Sequence, residues 1–171
     1  NFFVDTDSDE IYSKLKSIIE KKVSLELSQK INVVLIAQPP LTCKIIVEAF
    51  WYSPKLWSMK FLKNGNGSSL LFKRENTRIL IGNVQCNLQK DYKTNAQRVF
   101  SSMRQLFEKY QFPINSIVRQ WNYLEDIVGF DGDKQKYQEF NNVRSEFYAS
   151  HFVKKGYPAA TGIGMNRGGI I

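Results

Sequence analysis

The hydrophobic period of the chain changes after Cys86, and that change decides what kind of fold it can adopt. From Ile31 up to it, apolar residues come in short, β-branched runs of strand length. After it they recur as Ala96, Val99, Phe100, Met103, Leu106, Phe107 and Tyr110. That spacing is the stripe of an amphipathic helix and predicts one from about 95 to 110. The capping-box pattern Thr94-Asn95-Ala96-Gln97 opens it and Gln111-Phe112-Pro113 stops it. A second stripe, Tyr137, Phe140, Phe147 and Tyr148, predicts a helix over about 133 to 151. Strands are expected at Ser116 to Leu124 and at about Ala159 to Gly164, with a loop at Gly129 to Gly132 and a turn at Asn166-Arg167-Gly168-Gly169. Ile170-Ile171 reads as the start of a further strand, so that the chain resembles a fragment of a longer protein.

The N-terminal half reads as mostly strand. Asp7 with Glu10 makes a capping-box-like start for a helix over residues 8 to 22, in which Ile11, Leu15, Ile18 and Ile19 repeat at helical spacing. Strands are expected at Ile31 to Ala37, Leu41 to Tyr52, Trp57 to Lys63, Ser69 to Phe72 and Thr77 to Val84, with turns at Asn64-Gly65-Asn66-Gly67 and Lys73 to Asn76. The fold class expected is α+β: a mixed sheet with two long helices on one face. Residues 1–70 form an N-terminal α/β extension that continues the sheet, and residues 71–171 the main domain.

Two cations stand where apolar groups belong. Side chains alternate along a strand, so Arg119, Trp121 and Tyr123 share one face, with Val118 and Leu124 opposite. Arg144 lies on the second helical stripe, four residues past Phe140. Desolvating an unpaired guanidinium costs several kcal/mol, so each needs an anionic partner. Glu125, Asp126, Glu139 and Glu146 are candidates within the chain, and an anionic ligand is the alternative. The run Pro158-Ala159-Ala160-Thr161-Gly162-Ile163-Gly164 adds small residues that let backbone approach a ligand.

Composition narrows the rest. No run of about 18 or more apolar residues exists and the N-terminus lacks a signal-peptide pattern, so no membrane span and a cytoplasmic location are expected. Cys43 and Cys86 lie in apolar runs and read as buried free thiols; the single histidine, His151, has no partner for a metal site or a Ser-His-Asp triad. No metal or cofactor is expected. The net charge of +8, from 24 basic and 16 acidic residues, is scattered and accompanied by no nucleic-acid-binding motif. An anionic small molecule explains it as well as nucleic acid would.

From about Thr77 onward, the order strand, capped helix, strand, helix, strand resembles the reactive-intermediate deaminase family, also called YjgF or endoribonuclease L-PSP proteins. The matching residues are Ile79 to Gln85, the helix with Asn95, Gln97, Met103, Leu106 and Phe107, the strand Ile117 to Asp126, and Tyr137 to Phe140 before Pro158-Ala159. In that family the residue after Pro-Ala is the arginine that grips the substrate carboxylate; here it is Ala160. A homotrimeric binding or deaminase protein lacking that arginine is one implication. The chain is also similar to the chorismatase family, at Arg119-x-Trp121-Asn122-Tyr123, at Tyr137-x-x-Phe140-x-x-x-Arg144 and at Pro158 to Gly164. This resemblance implies part of an enzyme of two YjgF-like units, pseudo-trimeric in assembly, that hydrolyses the enolpyruvyl ether of chorismate to pyruvate and a cyclohexadiene or hydroxybenzoate product. It assigns substrate binding to Arg119, Trp121, Tyr123, Arg144, Thr161 and Gly162, and the catalytic acid to the second unit.

Overall fold

The computed structural model describes residues 1–27, 32–64, 67–152 and 156–171. The chain divides into two compact units, Asn1–Val84 and Gln85–Ile171. In the first, strand β1 (Phe2–Val4) pairs parallel with β2 (Leu35–Ile36) and antiparallel with β3 (Ile45–Val47). Helix α1 (Asp9–Leu27) covers this small sheet, burying Tyr12 with Val4, Leu35 and Ala37, while Leu15 and Ile19 pack at the margin. The Tyr12 hydroxyl donates to the Leu35 carbonyl at 3.0 Å, so the buried phenol keeps a partner. The helix starts one residue later than the Asp7 cap predicts. Ser8 Oγ accepts from the Ile11 N–H, three residues on, which is the bond a capping side chain makes.

Strands β4 (Ser58–Asn64), β5 (Gly67–Arg74) and β6 (Thr77–Gly82) form an antiparallel meander. Tight connections dictate that arrangement, since two neighbouring strands joined by a short turn can only run antiparallel. Glu75, at φ 48°, takes the left-handed position in the β5–β6 turn. Residues 65 and 66 of the expected Asn-Gly turn lie outside the described residues, as does Ile31 of the expected strand Ile31 to Ala37 and Lys154 and Lys155. The strand expected over Leu41 to Tyr52 shortens to β3, and Cys43 is exposed, correcting the expectation of two buried thiols; Cys86 is buried. Cys43 lies in a bent segment ahead of β3 rather than in a paired strand.

The second unit is built around a crossover. Helix α2 (Tyr92–Lys109) leads through a short 3₁₀ turn at Ile114–Ser116 to β7 (Arg119–Glu125). A two-residue hairpin, β8 (Phe130–Asp131) and β9 (Lys134–Gln135), then feeds α3 (Lys136–Ala149), and the chain returns as β10 (Ala159–Met165), parallel to β7. Parallel neighbours need such a crossover, and α3 supplies it. The cap of α2 is Asp91, not the predicted Thr94 box: its carboxylate accepts from the Thr94 N–H at 2.8 Å and from the Thr94 hydroxyl at 2.7 Å. Thr94 is thus the donor, and the helix gains a turn that buries Tyr92.

The chain is α+β, but its described strands fall into four small sheets instead of one mixed sheet. Tight turns commit β4–β6 to a meander, whereas the α3 crossover isolates β7 and β10 as a parallel pair. The two long helices pack on each other through aromatic rings: Phe100 lies 5.5 Å from Phe140 and 5.0 Å from Phe147 between centroids. Phe140 is fully buried. Phe140→Ala is expected to cost about 3–5 kcal/mol of unfolding free energy, read from urea denaturation, through lost burial and the cavity left between α2 and α3.

Candidate functional site

The β7–β10 ribbon pairs Trp121 with Thr161 and Asn122 with Gly162, so its two faces carry different side chains. Arg119, Trp121 and Thr161 share one face; Gln120, Asn122, Ala160 and Gly162 share the other. On the first face the Arg119 guanidinium stacks over the Trp121 ring, 5.1 Å from its centroid, and donates to the Thr161 hydroxyl. Both Arg119 and Trp121 are exposed, Trp121 by 53%. Tyr123 follows the same alternation but is buried, its backbone paired in both directions with Ile171.

The second face meets α3. Tyr137, Asn141, Arg144 and Tyr148 are spaced by three and four residues and so form one side of that helix. Its two ends are fixed to the ribbon. The Tyr148 hydroxyl donates to Gln120 Oε1, and Gln120 in turn donates to Asn122 Oδ1 at 2.6 Å. The Tyr137 ring lies against Gly162, where a Cβ atom would meet Tyr137 Cε2 at 2.8 Å. Asn122 Nδ2 donates to the Thr161 carbonyl at 3.1 Å, tying the two strands together from this face. Burial raises the Tyr148 hydroxyl to about 12, with the nearby Arg144 charge opposing the shift.

The six residues predicted for binding are therefore not one cluster. Arg119, Trp121 and Thr161 come together on the outer face. Arg144 and Gly162 belong to the inner face, and Tyr123 is core. Three of the four carboxylates that might have neutralised the arginines have other partners, and the fourth, Glu146, is exposed. Glu125 bonds Arg167 at 3.3 Å and the Gly169 N–H at 2.8 Å, Asp126 bonds Lys136 at 2.7 Å, and Glu139 pairs with Lys134 at 3.7 Å. Among the described residues neither Arg119 nor Arg144 is in an ion pair. Asn141, to which the sequence reading gives no role, has its Oδ1 buried with no hydrogen-bond partner among the described residues. Its position, four after Tyr137 and three before Arg144, was the available signal.

Among the described residues no group of three or more His, Cys, Asp or Glu side chains comes together to hold a metal ion. No helix among them is long and apolar enough to cross a membrane.

Gln85–Ile171 is thus an α+β unit with a parallel ribbon and a crossover helix, in which neither Arg119 nor Arg144 is in an ion pair among the described residues. Residues 56–171 match the family described as chorismatase FkbO/Hyg5-like, N-terminal, and the chain belongs to that family of chorismate-hydrolysing enzymes. No curated protein sequence matches the chain at a significant level.

Two expectations follow from this geometry. Gly162→Ala should destabilise the protein by about 1–3 kcal/mol, because the added methyl displaces the Tyr137 ring, and the loss should shrink in a Tyr137→Ala background. Denaturant melts of the four members of that cycle measure the coupling. The raised Tyr148 value carries a pH dependence as well. A folded-state value of about 12 above an unfolded one near 10 means the buried phenol's contribution is complete below about pH 10. It is lost as the pH rises towards 12, so Tyr148→Phe should flatten the alkaline fall in stability.

Proposed function

We propose that this chain is the N-terminal, YjgF-like part of an enzyme that hydrolyses the enolpyruvyl ether of chorismate, releasing pyruvate and a cyclohexadiene or hydroxybenzoate product. The observation that carries the reading is the Arg119 guanidinium, exposed, without a carboxylate partner among the described residues and oriented by Trp121 and Thr161, within a stretch matching the chorismatase family. A planar guanidinium positioned over an indole and bonded to a hydroxyl on one side keeps donors free for a carboxylate, with which it can form a bidentate pair. Trp121 forms the wall beside it.

The chemistry begins with a proton delivered to the methylene carbon of the enolpyruvyl group. The cation that results is shared between the ether oxygen and its carbon; water adds at that carbon with loss of a proton, and the hemiketal collapses to pyruvate and the ring alcohol, a dihydroxycyclohexadiene carboxylate, from which loss of one water gives the hydroxybenzoate. Arg119 holds a carboxylate during these steps and restricts the ether to one orientation. Glu125 and Glu139 are engaged by Arg167, Gly169 and Lys134; the resemblance to two-unit chorismatases is what assigns the proton donor to a second unit.

The test is pyruvate release from chorismate by the full-length protein, followed through lactate dehydrogenase. Arg119→Met should raise KM by roughly 10- to 100-fold, the range of a lost charged hydrogen bond, with a smaller change in kcat. Thr161→Val, which frees the guanidinium without removing it, should cost less. Absence of pyruvate release by the wild type, or an unchanged kcat/KM in Arg119→Met, would overturn the assignment.

A further inference from the structure

A chain of hydrogen bonds crosses the ribbon from one face to the other. On the inner face the Tyr148 hydroxyl donates to Gln120 Oε1, Gln120 Nε2 donates to Asn122 Oδ1 at 2.6 Å, and Asn122 Nδ2 donates to the Thr161 carbonyl at 3.1 Å. On the outer face the hydroxyl of the same Thr161 receives Arg119, whose guanidinium lies over Trp121. Tyr148 and Asn122 are buried, which shields their bonds from competing water. Thr161 therefore belongs to both faces, through its carbonyl on one side and its hydroxyl on the other.

The polarity of the chain is set at its far end. A carbonyl only accepts, so Asn122 must turn Nδ2 toward Thr161, which leaves its Oδ1 to accept. Gln120 must then present Nε2 to Asn122 and Oε1 to a donor, and the Tyr148 hydroxyl is that donor. What the last bond holds is the peptide unit between Thr161 and Gly162. Glycine imposes little on its own φ, so this unit has fewer steric restraints than one between two larger residues. Thr161 is β-branched, and its χ1 follows its backbone angles. Holding its carbonyl therefore holds its hydroxyl, and through the hydroxyl the guanidinium. We propose that Tyr148, Gln120 and Asn122 are positioning residues for Arg119, carrying the seating of α3 through the ribbon to a cation on its exposed face. The effect on carboxylate binding rests on the hydrolysis proposed above, whereas the coupling itself does not.

Fluorine NMR of the full-length protein labelled with 5-fluorotryptophan reads the coupling without turnover, the Trp121 resonance being assigned by its loss in Trp121→Phe. Arg119→Met should shift that resonance, because the cation over the ring is gone. Tyr148→Phe removes one hydroxyl, far from Trp121 in sequence, and should move the resonance part of the way toward its position in Arg119→Met. In an Arg119→Met background it should move nothing. Asn122→Asp keeps the shape but, while ionised, has no proton to give Thr161; it should shift the resonance at neutral pH and return toward wild type as acidification protonates the new carboxyl. In pyruvate release from chorismate, Tyr148→Phe should raise KM about 2- to 10-fold, the range of one neutral hydrogen bond, with a smaller change in kcat, and should add nothing to Arg119→Met. The proposal is overturned if Tyr148→Phe leaves the Trp121 resonance in place, if it shifts it equally without Arg119, or if KM is unchanged in Tyr148→Phe while Arg119→Met raises it. A wild type that releases no pyruvate but shows the coupled resonance overturns the hydrolysis and supports the relay.

Discussion

The second unit depends on the seating of α3 against the β7–β10 ribbon. A crossover helix must lie close to the strands it joins, and here closeness is obtained by omitting a side chain: Gly162 gives up its Cβ so that the Tyr137 ring can rest on the backbone. Three turns further along, the Tyr148 hydroxyl reaches Gln120 and fixes the other end of the contact. With both ends held, the rotation of the helix is no longer free. Phe140 and Phe147 then face Phe100 of α2. The outer face gains as well, because the same ribbon register sets Thr161 beside Trp121, where its hydroxyl receives Arg119.

Charge is distributed with comparable economy. Each acidic residue near the ribbon is matched to a basic residue close by, Glu125 to Arg167, Asp126 to Lys136 and Glu139 to Lys134. Asp126 and Glu125 also raise the buried Tyr92 hydroxyl, whose main cause is burial. This local matching keeps the end of β7 neutral. It also separates the two arginines from carboxylates that stand close to them in sequence, which is why pairing by sequence proximity was a poor guide to partners.

Much of the second unit was legible because its signals are local. A helical stripe with seven members has few alternatives to an amphipathic helix, and α2 and α3 lie where their stripes placed them. β7 and β10 were equally readable from alternation and flanking punctuation. What could not be read was pairing, since nothing in Arg119 to Glu125 says that Ala159 to Met165 will lie parallel beside it in that register. Register decided the site: one residue's slip would put Gly162 on the face with Trp121. The outer cluster of Arg119, Trp121 and Thr161 was partly visible through alternation, whereas the divergence of Arg144 from it required knowing which face α3 covers. In the first unit, Leu41 to Tyr52 had strand composition but formed only Ile45–Val47, because apolar content without a partner strand does not make a ladder.

The turn after β10 has a bearing on how the protein is made. Gly168 and Gly169 adopt positive φ, and a side chain at Gly169 would run into the Cys86 carbonyl, so the chain doubles back tightly enough for Ile170 to bridge both Cys86 and Leu124. Ile171 then closes on Tyr123 through two backbone hydrogen bonds. Segments that leave the ribosome early are thus stitched together by residues that leave it among the last of this unit. Until Ile170 and Ile171 emerge, Cys86 and Tyr123 hold open ladder positions, and the nascent unit carries a vacant strand slot that a neighbouring nascent chain is able to fill. Pairing in this unit therefore runs backwards along the chain, with the ladder positions of Cys86 and Tyr123 completed only when Ile170 and Ile171 fold back onto them.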